Sequence, residues 1–221
     1  MKKALKVLGV SGSPIKNSNT DRGVQAVLEA TGCNTEFIKL IDYKLEPCRA
    51  CGGCFRTNVC VIKDDGIALI EKVKEADAII IGGFTPYSTM DARTKTFIER
   101  LYSLRHNHGY LVGKPGAAVI TSCVVEPNES MPPAAECGAQ AVQFAMMEEG
   151  MEYLGAVKIK GNVPCVKCGK SETCKVSGVK MVYGPEATAE SVGIEIFEDQ
   201  NRALKEAHTL GKLLAEKLNE N

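Results

Sequence analysis

Residues 4–31 read ALKVLGVSGSPIKNSNTDRGVQAVLEAT. ALKVLGV is a short, apolar, partly β-branched run of the kind that forms a buried strand. SGSPIKNSNTD is a polar loop, and RGVQAVLEAT then places its apolar residues at helical spacing. A strand that feeds a hydroxyl-rich loop and then a helix N-terminus sets backbone N–H groups where an anion is favoured. Ser11, Ser13, Ser18, Asn19 and Thr20 supply neutral donors, with Lys16 and Arg22 as the nearby charges. That set suits one terminal phosphate held mostly by hydrogen bonds. The same residues would also serve as an ordinary Ser/Asn helix cap. The loop lacks G-x-G-x-x-G, which weakens a dinucleotide reading, and G-x-x-x-x-G-K-[ST], which argues against a P-loop.

The strand–helix pattern recurs along the chain. Strands are predicted at 34–41, 77–83, 116–122 and 155–163, and helices at 64–76, 92–105, 133–152 and 199–218. Five strands alternating with helices imply an α/β fold with a parallel sheet covered on both faces. Right-handed crossovers leave few topologies, and the doubly wound, flavodoxin-like order 2-1-3-4-5 fits best. The expectation is one flavodoxin-like domain over 1–221. Two cysteine-rich insertions, at about 43–62 and about 164–184, are each too short for a core of their own.

Ligands of such sheets bind at the carboxyl ends of the strands. The loop after strand 3 is GGFTPYSTMDARTKTFIER. Gly82 and Gly83 allow a tight turn, Pro86 fixes it, and Tyr87, Ser88, Thr89 and Met90 follow. A flat ring would fit here with backbone amides at its edge; the plainer alternative is an exposed loop tyrosine.

Hydrophobic residues make up 44% of the chain, charged residues 24%, and the net charge is zero. This balance argues against nucleic acid or an anionic membrane as main partner. No apolar run approaches the roughly 20 residues of a membrane span. The apolar part of MKKALKVLGVSGSP is too short for a secretory leader and runs into a structural loop, so a cytoplasmic location is expected.

Ten cysteines are many for a reducing compartment, where clustered thiols point to metal or redox chemistry rather than disulfides. EPCRACGGCFRTNVC, residues 46–60, spaces Cys48, Cys51, Cys54 and Cys60 as C-x2-C-x2-C-x5-C. Thiolates suit iron–sulfur clusters or zinc. Structural zinc uses two separated C-x2-C knuckles, and here the third cysteine comes too soon. Three close cysteines and a fourth a few residues on suit a 4Fe–4S cluster, with zinc and free thiols as the remaining alternatives. Gly52 and Gly53 would let the backbone wrap the metal. PCVKCGKSETC gives Cys165, Cys168 and Cys174 in C-x2-C-x5-C, echoing the last three of the first group. These three are a candidate second cluster or zinc site, with a metal-free loop as the alternative. Cys33, Cys123 and Cys137 stand alone. His106, His108 and His208 read as surface residues, and no acid–base constellation is evident.

GSPIKNSNT resembles the G-S-P-x-x-x-S-N-T phosphate loop of the NADPH-dependent FMN reductase superfamily, and TPYSTMDARTKTFIER is similar to its ring loop. With EPCRACGGC between strand 2 and helix 2, the chain resembles the iron–sulfur flavoproteins of archaea and anaerobic bacteria over about residues 4–163. Two departures are visible. Pro86-Tyr87 stands where many relatives carry Pro-Val-Tyr, and MPPAAECGAQ replaces a Gly-Gly-Gln-Glu-like segment. The resemblance implies FMN, with its phosphate on Ser11, Ser13, Ser18, Asn19 and Thr20. It implies a ring bordered by Pro86, Tyr87, Ser88, Thr89 and Met90, with Thr121, Ser122 and Cys123 nearby, and a 4Fe–4S cluster on the compact cysteine motif. The expected activity is electron transfer between a one-electron carrier such as ferredoxin and two-electron donors or acceptors. NAD(P)H is the other candidate donor, and a homotetramer built from dimers is implied. The alternatives are an NAD(P)H-dependent FMN or quinone reductase with a structural metal, or a redox-sensing module without enzymatic activity.

Overall fold

A computed structural model describes residues 4–126 and 131–220. Lys2 and Lys3, weighed above as part of a leader, lie outside them. The strands β1 (Lys6–Ser11), β2 (Asn34–Lys39), β3 (Ala78–Phe84), β4 (Pro115–Ser122) and β5 (Glu152–Lys160) form one sheet in the order β2-β1-β3-β4-β5. Every pairing is parallel. Topology and fold class are therefore those expected from the sequence.

Side chains alternate across each strand, so one sheet feeds two cores. Leu8, Val10, Ile79, Ile81, Ala118 and Ile120 pack beneath α2 (Gly66–Glu75), α3 (Ala92–Arg100) and α5 (Ala134–Glu148). Val7, Ile80, Ala117, Val119, Val157 and Ile159 face α1 (Asn19–Thr31) and α9 (Asn201–Glu220). The short α4 (Tyr102–Arg105) continues the line of α3 after a break at Leu101. After β5 come three short helices, α6 (Cys165–Cys168), α7 (Gly178–Tyr183) and α8 (Ala189–Val192), in the segment that carries the second cysteine group. No helix among the described residues is long and apolar enough to cross a membrane.

Boundaries shift where capping chemistry wins over apolar periodicity. Helix α1 begins three residues before the expected 22, because Ser18 accepts from the Asp21 amide and Asp21 reaches back to the Ser18 amide, closing a capping box. The helix expected over 133–152 stops at Glu148, because Gly150 sits at φ 74° and turns the chain. Strand β5 thus starts at Glu152 rather than 155. Between Gly116 and Ala118 of β4 its register slips, and Gly155 at φ 131° takes up the extra residue as a bulge.

Candidate functional site at the carboxyl edge of the sheet

Three loops meet at the carboxyl ends of β1, β3 and β4. The Gly12 amide donates to the Gly82 carbonyl at 2.9 Å, and the Arg93 guanidinium donates to the Gly12 carbonyl at 3.3 Å. Thr20 donates its hydroxyl to Thr121 Oγ1 at 2.8 Å, joining the loop before α1 to the end of β4. Asp91 organises the ring loop. It caps α3 through the Thr94 amide at 2.9 Å and accepts from the Thr94 hydroxyl at 2.7 Å; its carboxylate also accepts from the Phe84 amide at 3.2 Å, while its own amide donates to the Phe84 carbonyl at 2.9 Å.

The residues chosen from the sequence divide by what they do here. Buried Ser11 donates to Asp21 at 2.6 Å, Ser13 accepts from the Ile15 amide at 3.3 Å, and Ser18 is the helix cap. Asn19 faces away from the loop mouth: its amide donates to the Glu195 carbonyl at 2.9 Å and its oxygen accepts from the Phe197 amide at 3.2 Å. It thereby pins the segment before α9 across the end of β5. Ser122 makes a local bond with Val124, and burial raises the Cys123 thiol pKa. Pro86, Tyr87 and Ser88 form a 3₁₀ turn, followed by Thr89 in extended backbone and half-buried Met90. Tyr87 (φ 51°) and Ser88 (φ 62°) are both left-handed without being glycine, and the Tyr87 ring is fully exposed. Non-glycine residues held this way cost about 1–3 kcal/mol each and gather at functional sites.

The first cysteine group lies on the outer side of α3. Its loop uses left-handed backbone at Ala50, Gly52 and Asn58. Burial raises the Cys54 thiol pKa, with smaller contributions from Cys60, Cys48 and Cys51. The Ala50 amide donates to the Cys48 sulfur at 3.5 Å. Two buried polar side chains clamp the loop. Asn58 donates to the Ser103 carbonyl at 2.9 Å and to the His106 carbonyl, and meets His108 Nδ1 at 2.9 Å. Arg100, 1% exposed, makes a two-pronged pair with Asp64 at 2.7 and 2.9 Å and donates to the Glu46 carbonyl at 2.8 Å. Asp64 also accepts from the Glu46 and Gly66 amides. These bonds outweigh its burial, and its carboxyl stays below the usual range. His106, read as a plain surface residue, packs against Phe55 of the cysteine loop with ring centroids 4.3 Å apart and planes tilted by 56°.

In the second group, Cys165 and Cys168 open and close α6, and Cys174 ends the next turn. Amides of Gly178 and Lys170 donate to the Cys165 and Cys168 sulfurs at 3.3 and 3.4 Å. Among the described residues, no three His, Cys, Asp or Glu side chains converge on a single point that would cage one metal ion. A zinc site needs such convergence; a cluster does not, since each thiolate takes its own iron at a separate corner.

Sequence reasoning missed Asp91, Asn58, Arg100 and Asp64. For Asp91 the signal was present, as an Asp three residues before Thr94 at a helix start. The other three carry no pattern of their own and acquire their role only when α3 packs on the loop.

Residues 5–131, more than half of the chain, match the family model described as NADPH-dependent FMN reductase. The chain is 34% identical over 118 residues to an iron–sulfur flavoprotein of Methanosarcina thermophila, covering 52% of this chain and 62% of that one. It is 39% identical over 118 residues to the iron–sulfur flavoprotein MJ1083 of Methanocaldococcus jannaschii, covering 52% and 61%. The match thus spans about 60% of the length of these relatives. Among solved structures, a flavodoxin from the domain Archaea aligns with a TM-score of 0.53 at 18% identity, over 97% of this chain and 99% of that one. RosB, solved with a bound riboflavin-phosphate intermediate, aligns with a TM-score of 0.63 at 17% identity, over 99% and 81%. These two likenesses concern the fold. With the family model matched across β1 to β4, the chain belongs to the NADPH-dependent FMN reductase family.

Proposed function

We propose that the protein is a flavin-dependent electron-transfer oxidoreductase that binds FMN at the carboxyl edge of β1, β3 and β4 and a 4Fe–4S cluster on Cys48, Cys51, Cys54 and Cys60. The residues fit both groups. The start of the 13-residue α1 supplies amides for a phosphate, and the strained Tyr87–Ser88 turn holds a bare aromatic ring just after the carboxyl end of β3. Four cysteines spaced C-x2-C-x2-C-x5-C on a loop that bends through left-handed backbone match the donor chemistry of a cluster.

When bound, flavin exchanges one or two electrons and a cluster exchanges one, so the pair would link ferredoxin-like carriers to two-electron donors or acceptors. The chain's own part is placement. Asp91 and Thr94 fix the ring loop, the Thr20–Thr121 bond holds the phosphate loop against β4, and Asn58 with Arg100 fixes the cysteine loop. No side chain needs to act as acid or base. Ferredoxin and NAD(P)H are the candidate donors. The observation that carries the reading is one chain in which a four-cysteine loop is fastened, by buried polar bonds, to the same helix that starts at the ring loop.

That helix also argues for an oligomer. Arg100 lies eight residues along from Ala92, a rise of about 12 Å at 1.5 Å per residue. The cysteine loop is thus set sideways from the ring loop of its own chain. A groove beside Cys48 is floored by Ala141 and Ala145 and flanked by exposed Tyr102 and Phe144. We read it as part of a homo-oligomeric face, dimer or tetramer, across which the cluster of one subunit serves the flavin of another. The second cysteine group we read as a further cluster site and not a zinc site, since no converging ligand set is present among the described residues, with its two N–H···S bonds as the support.

Anaerobic purification followed by flavin chromatography and metal analysis tests this reading. The expected result is FMN, not FAD, with at least about four irons per chain. A colourless protein with stoichiometric zinc would instead support the redox-sensing alternative.

A further inference from the structure

Asp21 places a carboxylate in the first turn of α1, beside the amides proposed to hold a phosphate. A second negative charge next to an anion is unfavourable unless a cation balances it. The Asp21 side chain is 3% exposed, so water and salt screen it little. Three donors meet it. The Ser11 hydroxyl donates to Oδ1 at 2.6 Å, the Ser18 amide donates to Oδ2 at 3.1 Å, and the Lys39 ammonium donates to Oδ2 as well. Lys39 is the last residue of β2, the strand beside β1. The same ammonium donates to the Ile15 carbonyl at 2.6 Å. Arg22, one of the other cations near the loop, pairs with Glu198 at 3.3 Å.

The loop over 11–18 is thus held at three points. Asp21 takes its two ends, at Ser11 and Ser18, and Lys39 takes its middle, at Ile15. Between these points the Ser13 amide donates to Ser11 Oγ and the Ile15 amide to Ser13 Oγ, each at 3.3 Å. Ser11, chosen from the sequence as a phosphate donor, spends its hydroxyl on Asp21 and is fully buried. We infer that Lys39 is a positioning residue for the phosphate of FMN: it neutralises Asp21 and, through the Ile15 carbonyl, holds the loop in the shape that admits an anion. This rests on the flavin reading above. An ion pair that served the fold alone would affect FMN and riboflavin, which lacks the phosphate, alike.

The test titrates the full chain, freed of flavin under anaerobic conditions, with FMN and with riboflavin, and quenching of flavin fluorescence gives both affinities. Lys39→Met is expected to weaken FMN binding about tenfold to a hundredfold, the worth of a charge-assisted hydrogen bond, and to leave riboflavin binding unchanged. Should the lone buried carboxylate prevent folding, Lys39→Met combined with Asp21→Asn removes both charges of the pair. That double variant still lacks the bond to Ile15, and its preference for FMN over riboflavin is expected to fall about tenfold. Unsubstituted protein that binds the two flavins equally, or binds neither, would overturn the phosphate reading and this inference together. A preference for FMN in the unsubstituted protein that persists undiminished in either folded variant would overturn this inference alone. So would an equal loss of affinity for both flavins.

Discussion

Glu149 is buried just past the end of α5, with Oε2 lacking a hydrogen-bond partner among the described residues. Burial pushes its pKa up to about 7 from the usual 4.5, against the pull of Arg105. Its folded pKa therefore lies above its unfolded one. The folded state keeps the proton that the unfolded state releases, so stability falls as pH rises from about 4.5 to about 7 and is level above that. The shift corresponds to a loss on the order of 3 kcal/mol. Glu149→Gln is expected to flatten that part of the denaturation-midpoint profile and to raise the midpoint at pH 8; an unchanged slope would show that Glu149 is ionised in the fold. Asn58 is the other informative single residue. It holds left-handed backbone and bonds to the Ser103 and His106 carbonyls. Replacing it with Ala would leave two carbonyls unpaired and should cost about 2–4 kcal/mol, measured as chemical denaturation of the iron-loaded protein. Neither residue was legible in the sequence, since a lone Glu at a helix end and a lone Asn in a loop look like solvated surface.

At the scale of elements, the strands were the most legible feature, because buried parallel strands are short, uninterrupted apolar runs such as AIIIGG. Helix ends were less so, being set by capping bonds that periodicity does not register. The least legible packing is that of α9 on α1. Gly211 reads as a weak point in the last helix, yet a Cβ there would lie 2.5 Å from the Val27 carbonyl oxygen. Gly211→Ala gains helix propensity of about 1 kcal/mol but must push the helices apart, and a net loss of about 1–3 kcal/mol is expected. A more stable variant in thermal unfolding would show that the two helices separate freely. The cysteine loop is an insertion tied to α3 and not to the phosphate loop. Cys51→Ala should therefore remove about four irons while FMN stays bound at full occupancy. Loss of flavin together with iron would mean that the two sites fold as one.

Across the whole molecule, the proposed flavin site lies where the strand order reverses, and α3 runs from that edge to where the cysteine loop is fastened. The phosphate loop, the ring loop and the four-cysteine motif were all legible as stretches. Their relation was not, because it depends on which residues of α3 grip the loop. The oligomer proposed above from the sideways placement of the loop is open to a direct test. Sedimentation of intact holoprotein is expected to give a closed assembly of more than one chain, and a monomer with undiminished internal electron transfer would contradict that. The central claim is that electrons from a one-electron carrier reach the flavin through the cluster on Cys48, Cys51, Cys54 and Cys60. Rapid mixing of reduced ferredoxin with the oxidised holoprotein tests it most directly, followed as loss of flavin absorbance near about 450 nm. The unsubstituted protein should bleach quickly and the FMN-loaded Cys51→Ala protein at least about a hundredfold more slowly, a barrier difference of about 2.7 kcal/mol; equal rates in the two proteins would contradict the account.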